Sequence, residues 1–175
     1  MLSDPSSPLR SPAYQLGSIV LFAATAVILM ALAFEYLGGY EPCPLCLQQR
    51  YAYYGGIPLL FAALVLVSAE RAGLAALLFL MVTLAFLVNA GLGIYQAGAE
   101  WKFWPGPATC AAVARPLSTS AGGLFKDLEN TRVIRCDEAS WRLFGLSFAG
   151  WNAVISLGVA LGSAAAALKV LRAPR

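Results

Sequence analysis

Cys43 and Cys46 stand three positions apart, with Pro44 directly after the first, and Arg50 stands four positions beyond the second. Two thiols at this spacing can close into a disulfide, and a thiolate from either can attack another disulfide. Proline suits the first position of a helix, because its missing N–H costs nothing there. The spacing therefore predicts a helix start with Cys43 at the cap and Cys46 in the first turn. Unsatisfied N–H groups at such a start stabilise a thiolate. Arg50 falls on the same helical face as Cys46 and adds a positive charge. Plainer roles compete: a CxxC is also half a zinc knuckle or a structural staple, and an arginine beside an apolar run is an interfacial anchor.

Cys110 and Cys136 complete the cysteine set. They do not form a second CxxC, so a zinc site built on all four would be irregular. Each follows a punctuated or polar stretch, WPGPATC and NTRVIRC. Four cysteines allow three pairings, of which 43–46 with 110–136 is the simplest. A 110–136 disulfide would staple a loop or, if labile and exposed, exchange with a visiting thiol. The chain has no histidine, which removes histidine-ligated haem, His-containing zinc sites and histidine acid–base chemistry.

The elements that position these residues follow from composition. The 175 residues are 59% hydrophobic and only 12% charged, against about 25% charged in soluble domains. A soluble fold of this length cannot hide that much apolar surface, so the chain reads as an integral membrane protein in a lipid bilayer. The net charge of +3 is small and its basic residues are scattered, which gives no nucleic-acid footprint. Four apolar stretches, 16–37, 51–69, 74–95 and 146–168, approach the roughly 20 residues that cross a bilayer as a helix. They are too long and too unalternating for barrel strands. None of the four has a charge deep inside; Glu35 lies near the outer end of the first. Ala31-Leu32-Ala33 resembles a leader cleavage site, but the apolar run continues past it, so the first span is read as retained.

The expected fold is an all-α bundle of four transmembrane helices. Residues 1–15, rich in Ser and Pro, read as a flexible cytoplasmic tail, and 16–175 as a single domain. A short loop at 38–50 carries the CxxC, and a long loop at 96–145 carries the other cysteines. With four spans these two loops share one face. The opposite face holds Arg10, Arg71, Lys169, Arg172 and Arg175, a basic density that favours the cytoplasm. The cysteine loops are then periplasmic, where an oxidising compartment suits them. Trp101, Phe103 and Trp104 read as an interfacial aromatic belt. Leu124, Phe125 and Leu128 suggest a short amphipathic piece lying in the interface.

With these features assembled, the chain resembles the DsbB family of inner-membrane disulfide bond formation proteins. The resemblance rests on CPLCLQQR at the start of the second span, EWKFWPGPATC after the third, and CDEASWRLFGLSFAGWN leading into the fourth. It covers nearly the whole chain. It implies a thiol:quinone oxidoreductase: a periplasmic DsbA-like thiol oxidase delivers electrons to Cys110 and Cys136, which pass them to Cys43 and Cys46. A membrane quinone, ubiquinone or menaquinone, takes them up. By the same resemblance Cys110 meets the partner's thiol and Cys136 completes that pair. Cys43 accepts electrons from the loop pair, and Cys46 faces the quinone as a thiolate in charge-transfer contact. Arg50 would stabilise that thiolate and the negative charge developing on the quinone. One position departs from the family pattern. Many relatives carry a histidine near the end of the third span, and here Gln96 occupies that place, leaving Glu100 or water to deliver protons.

Three other readings compete with this one. A non-enzymatic tetraspan scaffold with disulfide-stapled external loops would keep both pairs unreactive. A reductant-exporting thiol carrier would need cysteines reachable from both faces. An enzyme like vitamin K epoxide reductase would carry its CxxC near the last span.

Overall fold

The computed structural model describes residues 11–106, 137–139 and 141–172. Its helices are α1 (Pro12–Tyr36), α2 (Pro44–Ser68), α3 (Ala72–Glu100) and α4 (Phe148–Arg172), with a two-stranded hairpin of β1 (Arg142–Leu143) and β2 (Leu146–Ser147) just before α4. All four helices are long and apolar enough to cross a membrane. A helix of 25 residues rises about 37 Å, more than the roughly 30 Å of a bilayer's hydrocarbon core. The protein is a four-helix, multi-pass membrane bundle.

The helix ends depart from the apolar runs for local reasons. Ser11 caps α1 by accepting the Tyr14 N–H at 3.2 Å, and Pro12 occupies the first turn. Residues 12–15, expected in the tail, are therefore helical; the remainder of that tail, 1–10, lies outside the described residues. Cys43 caps α2, so the helix begins at Pro44 and absorbs most of the expected 38–50 loop. The α3 helix continues past 95 to Glu100 because QAGAE contains no proline and a helix tolerates its single glycine. The α4 helix starts at Phe148, since Arg142–Leu143 pairs antiparallel with Leu146–Ser147. The Phe144-Gly145 turn between them has φ of +50° and +83°, the left-handed pair that a two-residue hairpin turn needs. The amphipathic piece expected at Leu124, Phe125 and Leu128 lies outside the described residues.

The helices form a ring in which α1 packs on α2 and α4, and α3 packs on α2 and α4, with little contact across the α2–α4 diagonal. The closest contact is between α3 and α4. Their backbones approach at Gly93, where an added Cβ would stand 3.0 Å from both the Ala149 carbonyl and the Ala153 amide nitrogen. Small residues let membrane helices pack this closely, because lipid tails supply no hydrophobic drive between helices. Phe79, Val82 and Phe86 of α3 fill the centre with no exposure. Tyr53 meets Phe86 edge to face at 5.0 Å. Phe22, Leu84, Val88 and Leu161 face outward, as a bundle solvated by lipid allows.

Candidate active site

Cys43 and Cys46 are joined as a disulfide at the N-terminus of α2. Cys43 Sγ caps the helix by accepting the Cys46 N–H at 3.1 Å. The proline after it has no N–H to leave unpaired, and no acidic residue enters the first turn, so the positive end of the helix dipole acts on the sulfurs. Cys43 is buried and Cys46 partly exposed. Cys110 and Cys136 lie outside the described residues. The chain on either side of them does meet: Lys102, just past α3, binds the Asp137 carboxylate at 2.8 Å and its carbonyl at 2.9 Å.

Gln96, near the C-terminal end of α3, donates from Nε2 toward Cys43 Sγ at 3.4 Å and Cys46 Sγ at 3.3 Å. Its orientation is set by a directional series of side chains. The Tyr53 hydroxyl donates to Asn152 Oδ1 at 2.7 Å, Asn152 Nδ2 to Gln49 Oε1 at 2.6 Å, and Gln49 Nε2 to Gln96 Oε1 at 2.7 Å. Each amide thus accepts at oxygen and donates from nitrogen, and such chains polarise one another. The series links α2, α4, α2 again and α3, ending on the disulfide sulfurs. Asn89 extends the polar set on α3 by donating to Ser156 Oγ at 2.9 Å. Glu100, one turn beyond Gln96, accepts from Gln96 Nε2 at 3.4 Å.

Beside the disulfide opens a cavity of about 570 Å³. Cys43, Cys46, Gln49, Arg50, Tyr53 and Asn152 supply part of its lining, with Glu35 and Glu100. Much of the remainder is apolar, including Val27, Ile28 and Ile155. Phe34, Trp141 and Phe148 add aromatic faces; Trp141 stacks on Phe148 at 4.9 Å, and Phe34 meets Phe148 edge to face at 5.1 Å. Apolar walls with a few convergent polar groups are the usual build of a small-molecule site. Arg50 lines the same cavity as Cys46, but it is not a lone cation: its guanidinium is hydrogen-bonded and ion-paired with the Glu35 carboxylate of α1.

Sequence reasoning singled out Cys43, Cys46 and Arg50, and the structure places all three on one cavity. It missed Gln49, Asn152, Tyr53 and the pairing of Glu35 with Arg50. The available signal was polarity: Gln49, Asn89 and Asn152 interrupt otherwise apolar helices, and polar side chains within membrane spans face the bundle interior or a cavity. Counting only charged residues passed over them.

Comparison with known proteins gives a consistent result. The family model described as disulfide bond formation protein DsbB matches residues 14–166. A disulfide bond formation protein B of Marinobacter nauticus is 30% identical, over 82% of this chain and 86% of its own. Proteins of the same name from a Polaromonas species and from Paracidovorax citrulli are 27% and 28% identical, covering 82% and 90% of this chain and 84% and 87% of their own. No solved structure gives a significant match. With a CxxC disulfide capping the second of four membrane helices and a match across most of its length, this chain belongs to the DsbB family of disulfide bond formation proteins.

Proposed function

We propose that the chain is a thiol:quinone oxidoreductase of the bacterial inner membrane, which reoxidises a periplasmic DsbA-like thiol oxidase and passes the electrons to ubiquinone or menaquinone. One observation carries this reading: the Cys43–Cys46 disulfide opens onto an apolar, aromatic-walled cavity that Arg50 also lines. A stapled scaffold has no use for a cavity at its staple. Flat aromatic faces and a cation among apolar walls fit a quinone headgroup with its isoprenoid tail. When bound, the quinone supplies a two-electron, two-proton acceptor.

The chain's own residues do the rest. In this reading Cys110 exchanges with the partner's thiol, and Cys136 closes that pair again. Cys43 takes the electrons from the loop pair, and Cys46 is released as the thiolate facing the cavity. The start of α2 and the Gln96 N–H stabilise that thiolate. Gln96 holds both sulfurs where many relatives have a histidine. Arg50 stabilises negative charge on either side of the cavity, and Glu35 fixes its guanidinium in place. Phe34, Trp141 and Phe148 exclude water from the reacting groups.

The test uses full-length protein purified in detergent, a reduced DsbA-like thiol oxidase and a water-soluble ubiquinone analogue, with quinone absorbance followed in time. Quinone reduction that depends on all four cysteines is expected. Partner oxidation without quinone reduction would remove the quinone from this account, and no reaction with the partner would leave the scaffold reading in its place.

A further inference from the structure

We propose that Glu100 holds the proton exchanged by the Cys43–Cys46 pair in each redox cycle, an assignment that rests on the thiol:quinone reading above. Glu100 is only 7% exposed, yet it lines the cavity that the disulfide opens onto. Its Oε1 accepts from Gln96 Nε2, the same nitrogen that reaches both sulfurs. Its Oε2 is buried and has no hydrogen-bond partner among the described residues. An ionised carboxylate with one orphaned buried oxygen is costly, and protonation removes that cost. The site therefore contains a carboxyl suited to changing protonation state two hydrogen bonds from the reacting sulfurs, through the shared Gln96 nitrogen.

Other titratable and charged groups share the cavity, but Glu100 is the carboxyl bonded to the nitrogen that reaches the sulfurs. Gln96 faces it from α3, the Ser147 hydroxyl and the Arg142 guanidinium from the hairpin, and the disulfide from α2. Glu35, the carboxyl on the α1 side of the cavity, is already engaged in its ion pair with Arg50. Glu41 and Glu138 also line the cavity, and the Tyr53 hydroxyl is engaged with Asn152. The chain has no histidine to take the role.

The incoming dithiol gives two electrons and two protons and leaves as a disulfide. The Cys43–Cys46 bond breaks to the Cys43 thiol and the Cys46 thiolate, and Glu100 takes the second proton. On reoxidation the sulfur–sulfur bond re-forms and two electrons leave for the quinone. The protons that accompany them come from Cys43 and from Glu100, which returns to the carboxylate.

The test is infrared difference spectroscopy on full-length, detergent-purified protein freed of quinone, before and after reduction of Cys43–Cys46 by an added dithiol. Reduction should produce a carboxylic C=O stretching band that Glu100→Gln lacks and Glu100→Asp shifts. No band in the native protein, or an unchanged band in Glu100→Gln, overturns the proposal. If Glu100→Gln does not fold, an unshifted band in Glu100→Asp overturns it equally. In quinone turnover, Glu100→Gln should be slower by about 100-fold, the scale of a lost general acid, with the deficit growing as pH rises. A deficit independent of pH would mean a structural role and overturns the proposal. Because the infrared readout needs no quinone, a protein that shows the band but never reduces quinone supports the Glu100 assignment while refuting the thiol:quinone reading.

Discussion

Arg50 lines the cavity beside the disulfide, and Glu35 is bonded to it. The pair is largely withdrawn from solvent, with side-chain exposures of 12% for Arg50 and 23% for Glu35. A pair so placed restrains the guanidinium at the cavity wall. Arg50→Ala should therefore cost on the order of 2–4 kcal/mol in the quinone step, by analogy with loss of one preorganised electrostatic contact. Arg50→Lys should recover only part, because lysine lacks the planar fork that a carboxylate engages. Stopped-flow quinone reduction measures both, beside exchange between the loop cysteines and the partner, which should barely change. An unaltered quinone step in Arg50→Ala would reduce Arg50 to an interfacial anchor. Glu35→Gln leaves the arginine charge uncompensated, and the Cys46 thiolate fraction, read by ultraviolet absorbance in the reduced protein, should rise. A fall would show that Glu35 matters for placing Arg50 and not for balancing its charge.

Three helices cooperate to aim one N–H at the sulfurs. Tyr53 and Gln49 come from α2, Asn152 from α4 and Gln96 from α3. Replacing Asn152 with Leu removes the acceptor for Tyr53 and the donor for Gln49, two groups from the middle of a buried chain, each costing about 1–3 kcal/mol if left unsatisfied. Asn152→Leu should lower thermal stability in detergent and reduce the Cys46 thiolate fraction, although position 152 touches neither sulfur. Gln96→Leu should reduce the thiolate fraction at least as much with a smaller loss of stability, because it ends the chain and does not interrupt it. Equal thiolate fractions in Asn152→Leu and the native protein would show that the amides pack the bundle without tuning the cysteines. The α3–α4 contact makes a separate demand. At Gly93 a larger side chain meets backbone, which cannot rotate away. Gly93→Val should force α4 off α3 and destabilise the bundle by about 1–3 kcal/mol or more, whereas Gly91→Ala, which meets nothing within 4 Å, should be tolerated.

At the scale of the whole molecule, the disulfide end of the bundle is defined by contacts between chain ends of opposite direction. The start of α2 meets the end of α3 through Gln96, and the start of α4 lies beside them through Asn152. The connector between α2 and α3, with Arg71, and the end of α4, with Lys169 and Arg172, belong to the other end. The proposed periplasmic orientation is open to a direct test. In intact spheroplasts under reducing conditions, a membrane-impermeant thiol reagent should label the native cysteines and spare a cysteine placed at Ala72. Labelling at position 72 with all the native cysteines protected would invert the protein. The proposed division of labour also has a test at this scale: Cys136→Ser should accumulate a mixed disulfide between Cys110 and a DsbA-like partner, and trapping through Cys43 alone would reverse the order of the relay.

The amino-acid sequence by itself determined the membrane class, the number of helices and the local cysteine pair, because each depends on residues close together in the chain. Hydrophobic length specifies a span, and Cys43 followed by Pro44 specifies a capped helix start. The Phe144-Gly145 turn was local as well, but a phenylalanine in a left-handed conformation is unusual enough that the hairpin did not stand out. Only the tertiary structure decided what surrounds the disulfide. Gln49, Gln96 and Asn152 lie on three different helices, and their meeting depends on how α2, α3 and α4 rotate about their axes. In a lipid-facing helix that rotation leaves little trace in hydrophobic periodicity, since both the inward and the outward faces are apolar. The partner of Arg50 was hidden for the same reason: Glu35 could be seen at the end of the first span, but its pairing requires α1 and α2 to turn the two residues toward one cavity.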